Sequence, residues 1–138
     1  ILSRMDSSFL EYLEATMDEK LDSMPPIRWK DRHSVCIVMA SRGYPGKYQT
    51  GNVIHGLNSK FDVDTYVFHA GTKKNSMGEI ITNGGRVLSV ASLDDTLEGA
   101  KNKSYSAVSQ IHWGDNEEYF RRDIASKGIK YMKSALSE

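Results

Sequence analysis

The chain has 138 residues, a single domain's worth and enough to bury a core of its own. Its 18 basic and 18 acidic residues cancel to a formal net charge of zero, so no global field draws it to nucleic acid or to a membrane surface. No apolar run approaches the ~20 residues of a membrane span, and the start lacks the layout of a signal peptide.

Residues Asp6 to Leu21 are predicted to be helical. Met5, Phe9, Leu13 and Met17 recur every fourth position, Leu10 and Leu21 widen the stripe, and Ser8 and Glu11 have capping-box spacing. Met24-Pro25-Pro26 ends this helix and starts an extended connection. The organisational break falls here, giving segments 1–31 and 32–138. His33 to Ser41 (HSVCIVMAS) is an almost continuous apolar run of strand length, which predicts burial on both faces. Cys36, the only cysteine, sits inside it and reads as a buried thiol in a reduced compartment, hence a cytoplasmic protein. Arg42-Gly43-Tyr44-Pro45-Gly46 then breaks the strand with a rigid turn, and Gly51 and Gly56 flank the short apolar pair Val53-Ile54. Glycine-rich loops of this kind either line a site or simply turn corners.

The stretch from Phe68 to Val90 (FHAGTKKNSMGEIITNGGRVLSV) organises the rest. Tyr66 to Phe68, Gly78 to Thr82 and Arg86 to Ala91 read as three strands. Met77-Gly78 closes a turn between the first two, and Asn83-Gly84-Gly85 makes a tight connection into the third. Arg86 follows the glycines at once. A planar five-donor group beside a glycine pair suits a phosphate, although on pattern alone it is more often an ordinary exposed hairpin feature. Asp95 and Glu98 mark a second capping box, opening a helix from Thr96 to His112 with Leu97, Ala100, Ala107, Val108 and Ile111 on one face. Gly99 in its first turn points to a close contact with a strand. Gly114 is expected to stop that helix. In Tyr119-Phe120-Arg121-Arg122-Asp123-Ile124 an arginine either pairs with Asp123 or faces a phosphate. A short basic helix is expected from Lys127 onward.

Several chemistries are missing. There is no Walker loop and no Gly-x-Gly-x-x-Gly. One cysteine and four scattered histidines make no zinc set. His33, His55, His69 and His112 lack neighbours that suggest a triad, and no serine sits in a nucleophile elbow. No catalytic or metal-ligating residue is assigned.

Three stretches taken together resemble one family. ASRGYPGKYQTG (Ala40 to Gly51), FHAGT followed by TNGGRVLSV (Phe68 to Val90), and YFRRDI (Tyr119 to Ile124) are similar to the C-terminal region of phosphoribosylamine–glycine ligases, members of the ATP-grasp superfamily. The likeness covers essentially the whole chain, and GYPG, FHAGT and TNGGRV in that order are specific as a set. The resemblance implies an α+β fold: a β-rich, barrel-sandwich-like cap domain with packed helices, preceded by the last helix of an ATP-grasp domain. It implies ATP-dependent joining of 5-phosphoribosylamine and glycine in purine synthesis, through a glycyl phosphate that the ribosylamine nitrogen attacks. ATP and Mg2+ or Mn2+ would be held mainly by upstream portions absent here, and Ile1 in place of Met fits a piece of a longer protein.

The resemblance also implies that Arg86, with Asn83, Gly84 and Gly85, contacts the phosphoribosylamine phosphate. Arg121 is a second candidate, and Tyr44 to Gly46 would shape the cleft wall. Two departures from the family pattern are Arg42, where a small residue is usual, and Ala125-Ser126-Lys127 after the Arg-Asp-Ile match, where Lys127 would stand in for an arginine as a point charge. The partners expected are the remaining portions of the same protein and the two small substrates. The competing expectation is a free-standing, non-catalytic module of the same fold. Bare Phe9, Leu13 and Met17 would favour a missing domain.

Overall fold

Strand β1 (His33–Ser41) forms where the β-branched and apolar run predicts it, but its burial alternates. Val35, Ile37 and Met39 are buried, while Cys36 and Val38 are exposed. The expectation of a strand covered on both faces is therefore corrected: the sheet has one packed face and one open face. Cys36 lies on the open one rather than in the core. Partial shielding of its sulfur still pushes the thiol up, which keeps it protonated at neutral pH.

The computed structural model describes residues 1–135, and within them the chain is α+β. The further elements are α1 (Phe9–Met17), β2 (Ile54–His55), β3 (Thr65–His69), β4 (Thr72–Lys74), β5 (Ile80–Thr82) and β6 (Arg86–Asp94). After them come α2 (Leu97–Val108), β7 (His112–Trp113), β8 (Glu118–Tyr119) and α3 (Ser126–Ala135). A four-stranded antiparallel sheet runs β3-β6-β1-β8, and β2-β7 and β4-β5 form two-stranded ribbons.

The predicted three-strand meander is not what forms. β5 pairs with β4, a strand not anticipated, whereas β6 pairs with β1 and β3. Asn83-Gly84-Gly85 consequently carries the chain from one sheet into another instead of closing a hairpin. The Asn-Gly signal identified a tight turn, but long-range pairing of β6 with β1 decided its partners.

Helix α2 covers the packed face. Ala100, Ala107 and Val108 are buried against Val35, Ile37, Val87, Leu88 and Val90, and the Ser104 hydroxyl donates to the Val35 carbonyl at 2.9 Å. The cap is Thr96, whose hydroxyl accepts from the Gly99 N–H at 2.9 Å, rather than the Asp95–Glu98 pair. Gly99 does mark a close contact, since a Cβ there would stand 2.2 Å from the Asp94 carboxylate at the end of β6. The helix ends at Val108, well before Gly114, because Ile111 and Trp113 leave it to enter the core. Lys103 and Thr96 hold the Asp94 carboxylate at about 2, Lys103 contributing most.

Helix α1 is shorter than the predicted 6–21 span, and its phase differs. Tyr12 and Ala15 are buried, and the Tyr12 hydroxyl donates to the Pro25 carbonyl at 2.7 Å. The predicted stripe is bare: Phe9, Leu13 and Met17 are 48%, 46% and 84% exposed. Ser8 is the N-cap residue but makes no side-chain cap bond. A Met5–Trp29 bridge closes the first 31 residues on themselves, and a hydrogen bond between the Ser3 and Ser34 hydroxyls ties them to the sheet.

Candidate functional site

The predicted residues around the glycine pair converge at one end of the sheet. β1 and β6 stay in register from His33–Asp94 to Met39–Leu88, then slip: Ala40 faces Arg86, and Val87 is left as an extra residue. This bulge buries Val87 completely and puts exposed Arg86 in a row with Ala40 and Tyr119 of β8. The neighbouring row is Phe68–Ser89–Val38, and the next Tyr66–Ala91–Cys36. Arg86 thus stands at the edge of the open sheet face, beside Phe68 (51% exposed) and Tyr119 (54% exposed).

The turn before Arg86 is knotted into two other loops. The Ser41 hydroxyl donates to the Gly84 carbonyl at 3.1 Å, and the Ser41 N–H donates to the Gly85 carbonyl at 2.8 Å. From the other side, the Asn83 N–H donates to Gly71 and the Gly71 N–H to the Arg86 carbonyl. A Cβ on Gly71 would lie 2.6 Å from that carbonyl and 2.9 Å from the Gly84 Cα, so the two backbones touch. A Cβ on Gly85 would lie 2.1 Å from the Tyr44 ring. Tyr44 therefore lies directly over the glycine pair, held by its N–H to the Ser41 carbonyl. Gly46 belongs to the same turn, packing near the Gly43 carbonyl, and contributes its shape rather than a contact to the glycine pair.

Among the described residues the Arg86 guanidinium has no hydrogen bond and no ion pair, and neither the Gly84 nor the Gly85 N–H donates one. An unpaired guanidinium that follows unengaged backbone N–H groups in the chain is an arrangement that accepts an anion. Arg121 differs. It is bound bidentately to Asp123 at 2.9 and 2.6 Å, the ordinary one of its two sequence readings, and Asp123 holds its charge in place. It lines a separate cleft with Arg42 and Arg122. Arg42 itself donates through Nε and Nη2 to the Asn116 carbonyl, so the departure at this position pins the loop before β8.

Sequence reasoning did not single out Gly71 or Ser41. Gly71 was visible only as part of the FHAGT stretch. Ser41 looked like the end of a strand, and nothing local announces that its hydroxyl ties down Gly84.

The comparisons with known proteins bear on this arrangement. Residues 34–127 match the family model described as phosphoribosylglycinamide synthetase, C domain. The chain belongs to that family. It is 42% identical over 130 residues to a phosphoribosylamine–glycine ligase of Escherichia coli (strain K12), a match covering 94% of this chain and 30% of the relative. The ligase of Rhodopirellula baltica is 37% identical over 130 residues, covering 94% and 29% respectively. Among solved structures, the phosphoribosylamine–glycine ligase of Thermotoga maritima superposes with a TM-score of 0.63 at 29% identity, over 82% of this chain and 27% of that one. The chain thus spans about 30% of the length of the relatives it matches. The α+β architecture is that of a synthetase C domain, and the Tyr44–Gly71–Gly85–Arg86 knot lies wholly inside the matched residues.

Proposed function

We propose that this C domain supplies the phosphate-holding wall of a phosphoribosylamine–glycine ligase. The observation that carries the reading is the unpaired Arg86 beside the free Gly84 and Gly85 N–H groups, roofed by Tyr44. Arg86 neutralises the phosphate of phosphoribosylamine, the two N–H groups add directed donors, and the bulge fixes the direction of approach. Asn83, whose side chain makes no hydrogen bond among the described residues, provides a further polar contact. Arg121 joins only by exchanging Asp123 for the ligand.

In this reading residues 1–31 belong to the end of an ATP-grasp domain and residues 32–138 to the cap. Other portions of a longer cytoplasmic protein bind ATP with Mg2+ or Mn2+, and ATP supplies the activation of glycine as an acyl phosphate. The bare face of α1 and the open sheet face support an apolar neighbour of that kind.

The test is steady-state kinetics of the full-length protein with Arg86→Ala. The expected result is a KM for phosphoribosylamine raised at least tenfold with the KM for ATP nearly unchanged. An unchanged KM for phosphoribosylamine removes Arg86 from the site. Absence of ligase activity in the full-length wild type favours the non-catalytic module.

A further inference from the structure

We propose that His55 and His112 form a two-imidazole chelate for a borderline divalent transition metal such as Zn2+, Ni2+ or Cu2+. The two residues are 57 positions apart, yet they face one another directly across the β2-β7 ribbon. Their rings are stacked, with centroids 5.3 Å apart and planes 28° from parallel. Both side chains are exposed, and neither ring has a hydrogen-bond partner among the described residues. His69 is different, because its Nδ1 is engaged with the Thr72 hydroxyl at 3.1 Å.

The ribbon that carries the pair is anchored from below. Ile54 and Trp113, the other facing pair, are 6% and 0% exposed and sit in the core. Gly56 closes on the chain just before β7: a Cβ there would stand 1.8 Å from the Gln110 carbonyl oxygen. The backbone positions of the two histidines are therefore set by core packing, and only the rings remain to move. Directly facing residues of an antiparallel pair have Cβ atoms about 4.5–5.5 Å apart. Metal–imidazole bonds of about 2.0–2.1 Å bring two nitrogens of one coordination sphere to roughly 3–3.4 Å. Two exposed rings stacked at this separation reach that span by side-chain rotation alone.

His55 lines a cleft formed by residues 53–59 and 78–80, and His112 is exposed beside it on β7, so the remaining coordination positions are open to water. Imidazole nitrogen selects Zn2+, Ni2+ and Cu2+ over the oxygen-seeking Mg2+ and Ca2+. The site is thus chemically distinct from any Mg2+ handled with ATP, and it lies on different strands from Arg86. An ion bound there ties residues 54–55 to 112–113 and stabilises the folded chain.

The experiment uses the untagged chain. Substoichiometric Cu2+ is added while amide resonances are recorded, and the melting temperature is measured with and without saturating Ni2+ or Zn2+. Broadening centred on residues 54–56 and 111–114 is expected, together with a metal-dependent rise in Tm. His55→Gln and His112→Gln are each expected to weaken binding at least tenfold. His69→Gln should leave affinity unaltered, and millimolar Mg2+ should shift nothing. Broadening centred on His33 or His69, or full affinity retained in both substituted chains, overturns the proposal. Either variant alone reads the same coupling, so a folding defect in one does not remove the test.

Discussion

At the scale of single residues, the kind of atom that would be struck separates two glycines of the candidate site. Gly71 abuts backbone of Gly84 and Arg86, which has nowhere to go. Gly71→Ala is therefore expected to destabilise the chain by about 1–3 kcal/mol, read as a lower midpoint in urea. Gly85 abuts the Tyr44 ring, which can swing away. Gly85→Ala should cost less stability than Gly71→Ala but, on the proposed function, should uncover the glycine pair and raise the KM for phosphoribosylamine in the full-length protein. Equal stability losses would contradict the contact pattern. Asp94 gives a pH signature. Its carboxylate is held at about 2 in the folded chain by Lys103 and Thr96, against an ordinary value of about 3.9 when unfolded. Its contribution is present above the unfolded value and is lost as pH falls from about 4 through about 2. Asp94→Asn should therefore be less stable than the wild type at neutral pH, and the difference should shrink across that window.

Elements were legible in the sequence to the extent that their signals were local. His33–Ser41 came out with the predicted bounds because β-branched Val35, Ile37 and Val38 sit at the centre of an apolar run that a glycine turn ends at once. The one-sided burial of that strand was not legible, since it depends on α2 covering only one face. The glycine pair and Arg86 were recognisable as a site by type and order, whereas the bulge that aims Arg86 depends on pairing between residues some 46 positions apart, Ala40 and Arg86. The two-residue strands β2, β7 and β8 carry too little pattern to be seen, which also hid the facing histidines. For α1 the apolar stripe was legible, but which face the chain itself covers was not: Tyr12 and Ala15 are buried, and Phe9, Leu13 and Met17 are bare. Tyr12→Ala is expected to cost about 3 kcal/mol, through lost burial and the lost bond to Pro25. Phe9→Ala should cost under about 0.5 kcal/mol in the same denaturation series.

For the whole molecule, the feature to explain is apolar surface on two sides: the bare stripe of α1, and the open sheet face carrying Tyr66, Phe68 and Val38. Leu13→Asp combined with Met17→Asp should leave the stability of the 138-residue chain unchanged while destabilising or inactivating the full-length protein. Loss of stability already in the short chain would mean that the stripe packs within it. The slip of register beside Ala40 carries a further consequence for how such a domain can change over time. Pairing from Leu88 to Asp94 is independent of what happens beyond the slip. Loss of the single residue Val87 would leave Arg86 opposite Ala40 and still on the open face, but it would remove a fully buried member of the core and the carbonyl that accepts from the Ala70 N–H. A one-codon deletion there is thus expected to lower the stability of the chain while leaving the Arg86 guanidinium outside, so a lineage sheds this anion hold by replacing Arg86 and not by straightening the strand.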